Sequence, residues 1–254
     1  MIALVRDVSP RLDACELTHQ GRVPIETERA RSQHREFCRL LKELGVEVER
    51  VAALPEYADG VFVEDTAVVL PEIAVLARPG ARSRQAEVDS VEPALARYRR
   101  LERVLPPGTL DGGDVLTIGK TLWVGTSGRT NPAGRDALAR MVAPFGYDVK
   151  AVELRDCLHL KTAVTFVPPH FVVVNPAWVA TEVWKDLTVI AVDADEPFAA
   201  NTLTVAGTTL VVSNGPKTEA RLRDAGIFTR AVDISELQKA EAGLTCLALI
   251  FEQR

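Results

Sequence analysis

The chain has 254 residues, of which 47% are hydrophobic and 26% charged, which suffices for the core of one large globular domain or two small ones. Its net charge of −5 argues against a general nucleic-acid-binding protein, because such proteins usually carry a basic face. No apolar run approaches the about 18 residues of a membrane span, and the N-terminus lacks the pattern of a signal peptide, so we expect no membrane partner.

The chain opens with an apolar run, IALVR, followed by a predicted helix over Glu26–Leu44 that Gly45 ends. Four similar passages follow, each predicted as an apolar strand, a short turn and a second strand rich in Val, Leu and Ile. They begin with DGVFVEDTAVV, LDGGDVLTIG, CLHLKTAVTF and FAANTLTVAG, and a fifth passage, GLTCLALIF, has only its first strand. Further helices are predicted over Arg84–Leu101, Pro132–Phe145 and Lys217–Ala225.

Each passage carries a polar residue near its start: Glu64, Asp111, His159, Asn201 and Cys246. The successive intervals are 47, 48, 42 and 45 residues. A near-constant interval in this range indicates a repeated supersecondary unit.

The N-terminal run can supply the strand that the fifth passage lacks, which closes the units into a ring. Closure removes the exposed edges of an open sheet. We therefore predict an α/β fold with one domain over residues 1–254, built as a five-bladed, pseudo-symmetric α/β propeller. The ring places one polar residue from each unit near its axis. The alternative is a set of independent strand–turn pairs in an open α/β sheet.

Cys246 and His159 are ambiguous when each is considered alone. A buried cysteine often acts as a small hydrophobic residue, and a histidine beside leucines is usually a core residue. A nucleophilic thiolate needs a nearby proton acceptor or positive charge, and His159 occurs at a similar place in its own unit. Together the two residues predict nucleophilic catalysis by Cys246 with His159 as proton-transfer partner.

Carboxylates cluster in the first two units, at Glu64, Asp65, Asp111 and Asp114. Asp-Gly is a common turn signal, so the run LDGGD has a purely structural interpretation as well. Several carboxylates together suit a guanidinium group, whose five N–H donors they can match in pairs. Such an anionic pocket raises the pKa of a cysteine, so a cationic substrate would itself promote formation of the thiolate.

Arg84 and Arg129 follow the second strand of units one and two. Surface exposure is the ordinary interpretation of an arginine, but two of them at corresponding places can hold a carboxylate. Carboxylates and arginines together predict a guanidino amino acid as the small-molecule ligand.

The ordered set DGVFVEDTAVV, ARPGARSR, LDGGDVL, SGRTN, LHLKT, AAN and LTC resembles the dimethylarginine dimethylaminohydrolase (dimethylargininase) family of the guanidino-modifying, or pentein, superfamily. The resemblance covers nearly the whole chain. It implies a five-bladed α/β propeller and metal-free hydrolysis of methylated arginine to citrulline and an alkylamine, through a covalent S-alkylthiouronium intermediate.

The resemblance also implies roles for individual residues. Cys246 would attack the guanidinium carbon, and His159 would act in turn as acid and base. Asp65 and Asp111 would hold the guanidinium nitrogens with support from Asp59 and Glu64. The remaining roles concern the amino-acid end of the substrate: Arg84 and Arg129 for its carboxylate, Leu17 in a mobile lid, and the backbone around Ala240 and Glu241 for its α-amino group.

One segment departs from the family pattern. Ala240, Glu241 and Ala242 stand where family members often carry an aliphatic residue, Asp and Gly. The longer Glu241 puts the exact substrate in doubt. The alternative within enzymes is another guanidine or amidine hydrolase, such as an arginine deiminase. The alternative outside enzymes is a non-catalytic propeller that binds a partner, which should lack the cysteine and histidine.

The four cysteines, Cys15, Cys38, Cys157 and Cys246, lie far apart, which fits a reducing cytosol better than a disulfide framework. No CxxC or HExxH pair occurs, so we expect no metal. The sequence therefore predicts a cytoplasmic enzyme without cofactors, either a monomer or a homodimer.

Overall fold

A computed structural model describes residues 1–253, and within this range the strands form five three-stranded sheets. Every sheet has the same construction, an antiparallel pair of strands with a third strand parallel to one of its members. The first four sheets consist of β3 (Ala67–Val69), β4 (Ile73–Leu76) and β5 (Arg100–Arg103); β6 (Val115–Ile118), β7 (Thr121–Thr126) and β8 (Asp148–Glu153); β9 (Val164–Val167), β10 (Phe171–Val174) and β11 (Thr188–Ala191); and β12 (Leu203–Val205), β13 (Thr208–Val212) and β14 (Thr229–Val232).

The fifth sheet joins the two ends of the chain. Its strands are β15 (Leu249–Phe251), β1 (Ile2–Val5) and β2 (Glu47–Arg50). β1 pairs antiparallel with β15, so that Ile2 faces Phe251 and Leu4 faces Leu249. The prediction that the N-terminal run completes the fifth unit is confirmed.

Helical segments connect the second and third strands of each unit. They are α1 (Thr27–Glu43), the 3-10 helix Arg82–Ser90 with α2 (Glu92–Leu95), α3 (Pro132–Val142) with the 3-10 helix Ala143–Phe145, the 3-10 helix Thr181–Trp184, and α5 (Pro216–Asp224). α4 (Leu160–Ala163) and α6 (Ser235–Gln238) are short, as are the remaining 3-10 helices Leu12–Ala14, Val63–Thr66, Gly112–Asp114, Pro197–Ala200 and Thr245–Leu247.

α1 shows how the sequence sets these segments. Ala30, Phe37 and Leu41 lie on one buried face at helical spacing. The helix ends where Gly45 takes a left-handed conformation with φ of 82°, and the Val46 N–H then donates to the Leu41 carbonyl. Three of the four predicted helices are confirmed to within a residue or a final 3-10 turn. The single helix predicted over 84–101 is wrong, because this stretch divides into a 3-10 helix, α2 and the start of β5.

The third strands are the elements that the sequence pattern did not reveal. β2 reads EVER and β5 reads RLER, so charged residues dominate both. Both are edge strands whose side chains are only partly buried, which leaves no apolar run to recognise.

The five sheets surround one cavity. The first strand of every unit (β3, β6, β9, β12 and β15) contributes residues to its wall. Neighbouring units touch along these strands, β15 against β3, β6 against β9 and β9 against β12. The strands therefore form an α/β fold of five small sheets and do not join into one open sheet.

All four cysteines are free, and Cys15, Cys38 and Cys157 are buried. Within residues 1–253 no helix combines the length and the apolar character that crossing a bilayer requires.

Candidate active site

The candidate site is built on the short helical turns that precede the first strands. The 3-10 helix Val63–Thr66 contacts both Gly112–Asp114 and Thr245–Leu247, while α4 contacts Gly112–Asp114 and Pro197–Ala200. Because each unit carries such a turn at the same place, the turns meet one another around the axis. The five repeated polar residues stand two to five residues ahead of their strands, so their register is only approximate.

A small cavity lies against these turns. The predicted site residues that line it are Cys246, His159, Asp59, Asp65, Arg84, Arg129, Ala240 and Glu241, joined by Glu16, Phe62, Leu158 and Ala242. Asp111, Glu64 and Leu17 do not line it. Of the five repeated polar residues, only His159 and Cys246 reach this cavity.

Cys246 has a partly accessible side chain. Its Sγ accepts a hydrogen bond from the Gly243 backbone N–H at 3.3 Å. Burial, together with the charges of Glu64 and Asp65, raises the pKa of Cys246 to about 12. The thiol is therefore neutral at physiological pH while no cation occupies the cavity.

Asn201, the repeated residue of the fourth unit, supports the cysteine turn. Its Oδ1 accepts the Thr245 backbone N–H at 3.0 Å, and its Nδ2 donates to the Lys161 carbonyl at 2.8 Å. The side chain is buried, so it acts on the cysteine through the backbone of the preceding residue.

His159 is buried between two carboxylates. Its Nε2 lies 3.0 Å from Asp111 Oδ2, and its Nδ1 lies 3.9 Å from Asp65 Oδ1. Burial alone would lower the pKa of His159, but the surrounding carboxylates, Asp65 foremost, outweigh it and raise the pKa to about 9. His159 is consequently an imidazolium at neutral pH, ready to donate a proton.

Asp111 occupies a different place from the one expected. It is fully buried, and its two oxygens accept from His159 and from the Gly80 backbone N–H, the latter at 2.8 Å. It contacts the imidazole from behind and does not line the cavity.

Asp114 is a supporting residue that the sequence presents only as one of several clustered carboxylates. It is fully buried, accepts the Leu160 backbone N–H at 3.0 Å and accepts the Ser127 hydroxyl. Burial raises the pKa of Asp114 to about 6. The hydrogen bond from Leu160 to Asp114 fixes the backbone next to His159.

Gly113 permits the close approach of His159 and Asp65. Its N–H donates to Asp65 Oδ1 at 3.0 Å. A Cβ at this position would lie 2.7 Å from His159 Nδ1 and 2.8 Å from Asp65 Oδ1, which is too close for either atom. The second glycine of the GGD run is therefore a requirement of the site and not only of a turn.

Asp65 and Arg84 form a buried pair. Arg84 Nη1 lies 2.6 Å from Asp65 Oδ2, and Arg84 Nη2 lies 2.9 Å from Glu87 Oε2. Burial would raise the pKa of Asp65, but His159 and Arg84 outweigh it and hold this pKa below its usual range. Glu87, absent from the predicted set, shares the charge of Arg84.

Glu64 faces the central cavity, although its neighbour Asp65 faces the small one. Its Oε1 lies 2.5 Å from Lys161 Nζ, and its Oε2 accepts the Thr245 hydroxyl at 2.7 Å. Burial raises the pKa of Glu64, which Lys161 partly counteracts. Lys161, which the predicted set also lacks, belongs to the LHLKT run.

Residues 15–22 form a segment without helix or strand that we call the lid, and this segment contributes Glu16 to the cavity wall. The Glu16 N–H donates to the Asp59 carboxylate at 3.1 Å, and the partly buried Leu17 packs on the main apolar core. Burial raises the pKa of Asp59 to about 6. Arg129 is half-buried and donates from Nη2 to the Thr18 hydroxyl at 3.1 Å.

Asp65, Asp111 and His159 offer donor atoms that lie within 4.8 Å of one another, a separation at which a metal ion could be held. Each of them already has a partner, however, and a protonated imidazole has no lone pair to offer. The arrangement suits proton transfer next to a bound cation.

No family model matches the chain. It is 39% identical over 249 residues to the N(G),N(G)-dimethylarginine dimethylaminohydrolase of Streptomyces coelicolor, covering 97% of this chain and 95% of that protein. The enzyme of the same name from Pseudomonas aeruginosa is 28% identical and covers 94% of each chain. The structure of a cysteine-to-serine variant of the Pseudomonas aeruginosa enzyme, complexed with citrulline, superposes with a TM-score of 0.94 over 98% of each chain at 26% identity.

Replacing Gly113 by alanine should lower the pKa of His159, because the added Cβ separates the imidazole from Asp65. We expect a decrease of about one unit or more, measured by NMR titration of the imidazole. Gly128→Ala is the matched control, since a Cβ there meets nothing within 4 Å. An unchanged pKa in Gly113→Ala would contradict the role assigned to this glycine.

His159 should also impose a pH dependence on stability. Its pKa is raised in the folded state, so its contribution is fully present below about pH 6.5 and is lost as the pH rises through about 9. The difference in free energy of unfolding between wild type and His159→Gln should therefore shrink over this window, by about 3 kcal/mol at most. Denaturant unfolding at several pH values measures it. The exposed His170, changed to glutamine, should give no such trend.

Proposed function

Because this chain belongs to the dimethylarginine dimethylaminohydrolase family, we propose that it hydrolyses Nω-methylated arginine, asymmetric dimethylarginine and monomethylarginine, to citrulline and an alkylamine. The observation that carries the proposal is the cavity itself. Cys246 and His159 line it together, with the Asp65 carboxylate and the Arg129 guanidinium also in its wall. This combination suits a ligand with a cationic end and a carboxylate end.

In the proposed reaction, the Cys246 thiolate attacks the guanidinium carbon. The C–N bond to the alkylated nitrogen breaks, and that nitrogen leaves as an amine after accepting a proton from His159. The product is an S-alkylthiouronium attached to Cys246. His159, now neutral, takes a proton from water, whose oxygen adds to the same carbon. Loss of the thiolate, with release of the remaining hydroxyl proton to solvent, then forms the ureido group of citrulline.

The carboxylates of the site are proposed to have different supporting roles. Asp65 is proposed to hold the guanidinium nitrogens, because it lines the cavity and its position is fixed by Arg84 and the Gly113 N–H. Asp59, in the cavity wall, and Glu64, which faces the central cavity, are proposed to add negative charge. Asp111 is proposed to act through His159 as a positioning residue, which keeps it in the catalytic machinery without direct contact with the substrate.

The amino-acid end of the substrate is proposed to lie toward the lid. Arg129, assisted by Arg84, holds the carboxylate, and the backbone around Ala240 and Glu241 meets the α-amino group. Arg129 is the better placed of the two arginines, because Arg84 is already bound to Asp65 and Glu87. Leu17 belongs to the lid that closes over the bound molecule.

We further propose that the five units form a pentein-type propeller in a single domain over residues 1–254. Five sheets of equal construction around one cavity support this assignment. The small number of cysteines, all of them free, supports a cytoplasmic location. The proposed reaction requires neither metal nor cofactor, and the enzyme is a monomer or a homodimer that binds neither nucleic acid nor membrane.

Incubation with arginine, monomethylarginine and asymmetric dimethylarginine tests the substrate. We expect ureido product from the two methylated forms and loss of about 10⁴-fold or more in rate for Cys246→Ser, since the nucleophile is removed. Cys38→Ala, at a cysteine buried in α1, is the control.

Four outcomes would contradict the proposal. Product from arginine alone would indicate a deiminase. Activity on none of the three with a reactive Cys246 would indicate another amidine, and an unreactive thiol without hydrolysis would indicate a binding module. Retention of hydrolysis by Cys246→Ser would overturn the nucleophile.

Substrate binding should lower the pKa of Cys246. In the free enzyme, burial and the negative charges of Glu64 and Asp65 stabilise the neutral thiol. A guanidinium bound beside these carboxylates neutralises their charge and therefore favours the thiolate. Alkylation of Cys246 as a function of pH gives the value for the free enzyme, and the pH dependence of kcat gives that for the complex. We expect the second to be lower by about one to three units. Equal pKa values of Cys246 in the free enzyme and in the complex would exclude substrate-promoted deprotonation. The Cys246→Ser variant measures the background alkylation at other residues.

A further inference from the structure

The side chain of Glu241 is directed at the lid. Its Oε1 accepts the backbone N–H groups of His19 and Gln20, each at 2.6 Å, and its Oε2 accepts that of Thr18 at 3.0 Å. Glu241 is only 7% exposed, so these bonds form away from bulk water. Hydrogen bonds from backbone N–H groups to an ionised carboxylate are among the strong ones in proteins.

The backbone of Glu241 adopts a conformation that glutamate does not favour. Its φ is 59°, in the left-handed region where glycine is preferred. A non-glycine residue keeps such a conformation when other interactions require it. Here the requirement is the side chain, because glycine at this position would leave three lid N–H groups without their acceptor.

The other attachments of the lid leave this stretch of backbone to Glu241. Asp59 accepts the N–H of Glu16, and Arg22, at the far end of the lid, donates to the Cys15 carbonyl at 2.6 Å, so neither contact involves the backbone of residues 18–20. Beyond this point, the Thr18 hydroxyl binds Arg129. Glu241 and Arg129 therefore hold the same residue of the lid, one through its backbone and the other through its side chain.

We propose that Glu241 is the positioning residue that latches the lid, and that through Thr18 it orients Arg129 toward the carboxylate of the substrate. The second half of this inference rests on the proposed function, whereas the latch itself does not. When the lid is closed, three N–H groups satisfy the carboxylate. When the lid opens, water replaces them, so the latch is reversible.

Glutamine at this position tests the charge and the acceptor pattern together. Its amide has one acceptor oxygen and an NH₂ group, and the NH₂ would face backbone N–H groups that are donors themselves. Glu241→Gln therefore breaks the latch while it keeps the size of the side chain. Glu241→Gly removes the latch and also relieves the left-handed backbone, so faster exchange in this variant cannot arise from strain at residue 241.

Hydrogen exchange of the backbone amides, followed by NMR on the full-length protein without ligand, gives the direct measurement. We expect the amides of Thr18, His19 and Gln20 to exchange about tenfold faster or more in both variants. Glu196→Gln is the matched control, because the Glu196 carboxylate accepts two backbone N–H groups, of Lys217 and Thr218, at the start of α5. In that variant, exchange should rise at residues 217 and 218 and stay unchanged in the lid.

Steady-state kinetics tests the link to Arg129. Both Glu241 variants should raise KM for the methylated arginine about tenfold with a smaller change in kcat, since the lid holds the bound substrate and does not take part in bond breaking.

Unchanged exchange at residues 18–20 in both variants would overturn the latch. Faster exchange with unchanged KM would overturn the orientation of Arg129. A wild type inactive on every arginine derivative would refute the proposed function, and the exchange result would still decide the latch.

Discussion

The imidazolium of His159, held between Asp65 and Asp111, is the interaction on which the candidate site depends. Buried carboxylates are costly unless a cation or N–H donors compensate them, and this site buries Asp65, Asp111 and Asp114 together. His159 supplies one positive charge and Arg84 supplies another. The same arrangement keeps the histidine protonated, which is the state a leaving amine needs. The same charges therefore stabilise the buried site and support the proposed proton transfer.

This balance also explains the resting state of the nucleophile. Burial, together with the negative charges of Glu64 and Asp65, raises the pKa of Cys246, so the thiol is neutral in the resting enzyme. A cation entering the cavity changes that condition, because it neutralises the same carboxylates. In the proposed mechanism the charge of the substrate thus selects the molecule and activates the cysteine. An uncharged analogue would lack both effects.

At the other end of the cavity, a carboxylate holds backbone instead of side-chain cations. Glu241 takes three N–H groups of the lid, and Asp59 takes a fourth. These contacts give a physical reason for the glutamate that stands where the family pattern has an aspartate. A glutamate is retained at a left-handed position because its reach closes the lid, and the backbone around Ala240 remains beside the cavity.

Much of the fold could be predicted from the chain alone. Apolar hairpins with a near-constant interval predicted five units, and the missing strand of the fifth predicted the pairing of β1 with β15. Cys246 and His159 could be identified because their units place them ahead of comparable strands. The edge strands β2 and β5 could not, since charged and half-exposed residues carry no apolar period.

What only the tertiary structure decided is which side chains face each other. Asp111 and Asp65 are both acidic residues at the start of a unit, yet one stands behind the histidine and the other in the cavity wall. Glu87, Lys161 and Asp114 received no individual role from the sequence, and Lys161 and Asp114 each have a partner in another unit. The lid contact of Glu241 joins residues more than 200 positions apart. Sequence periodicity fixes the spacing along a strand or helix, whereas such contacts depend on how separate units pack against one another in three dimensions.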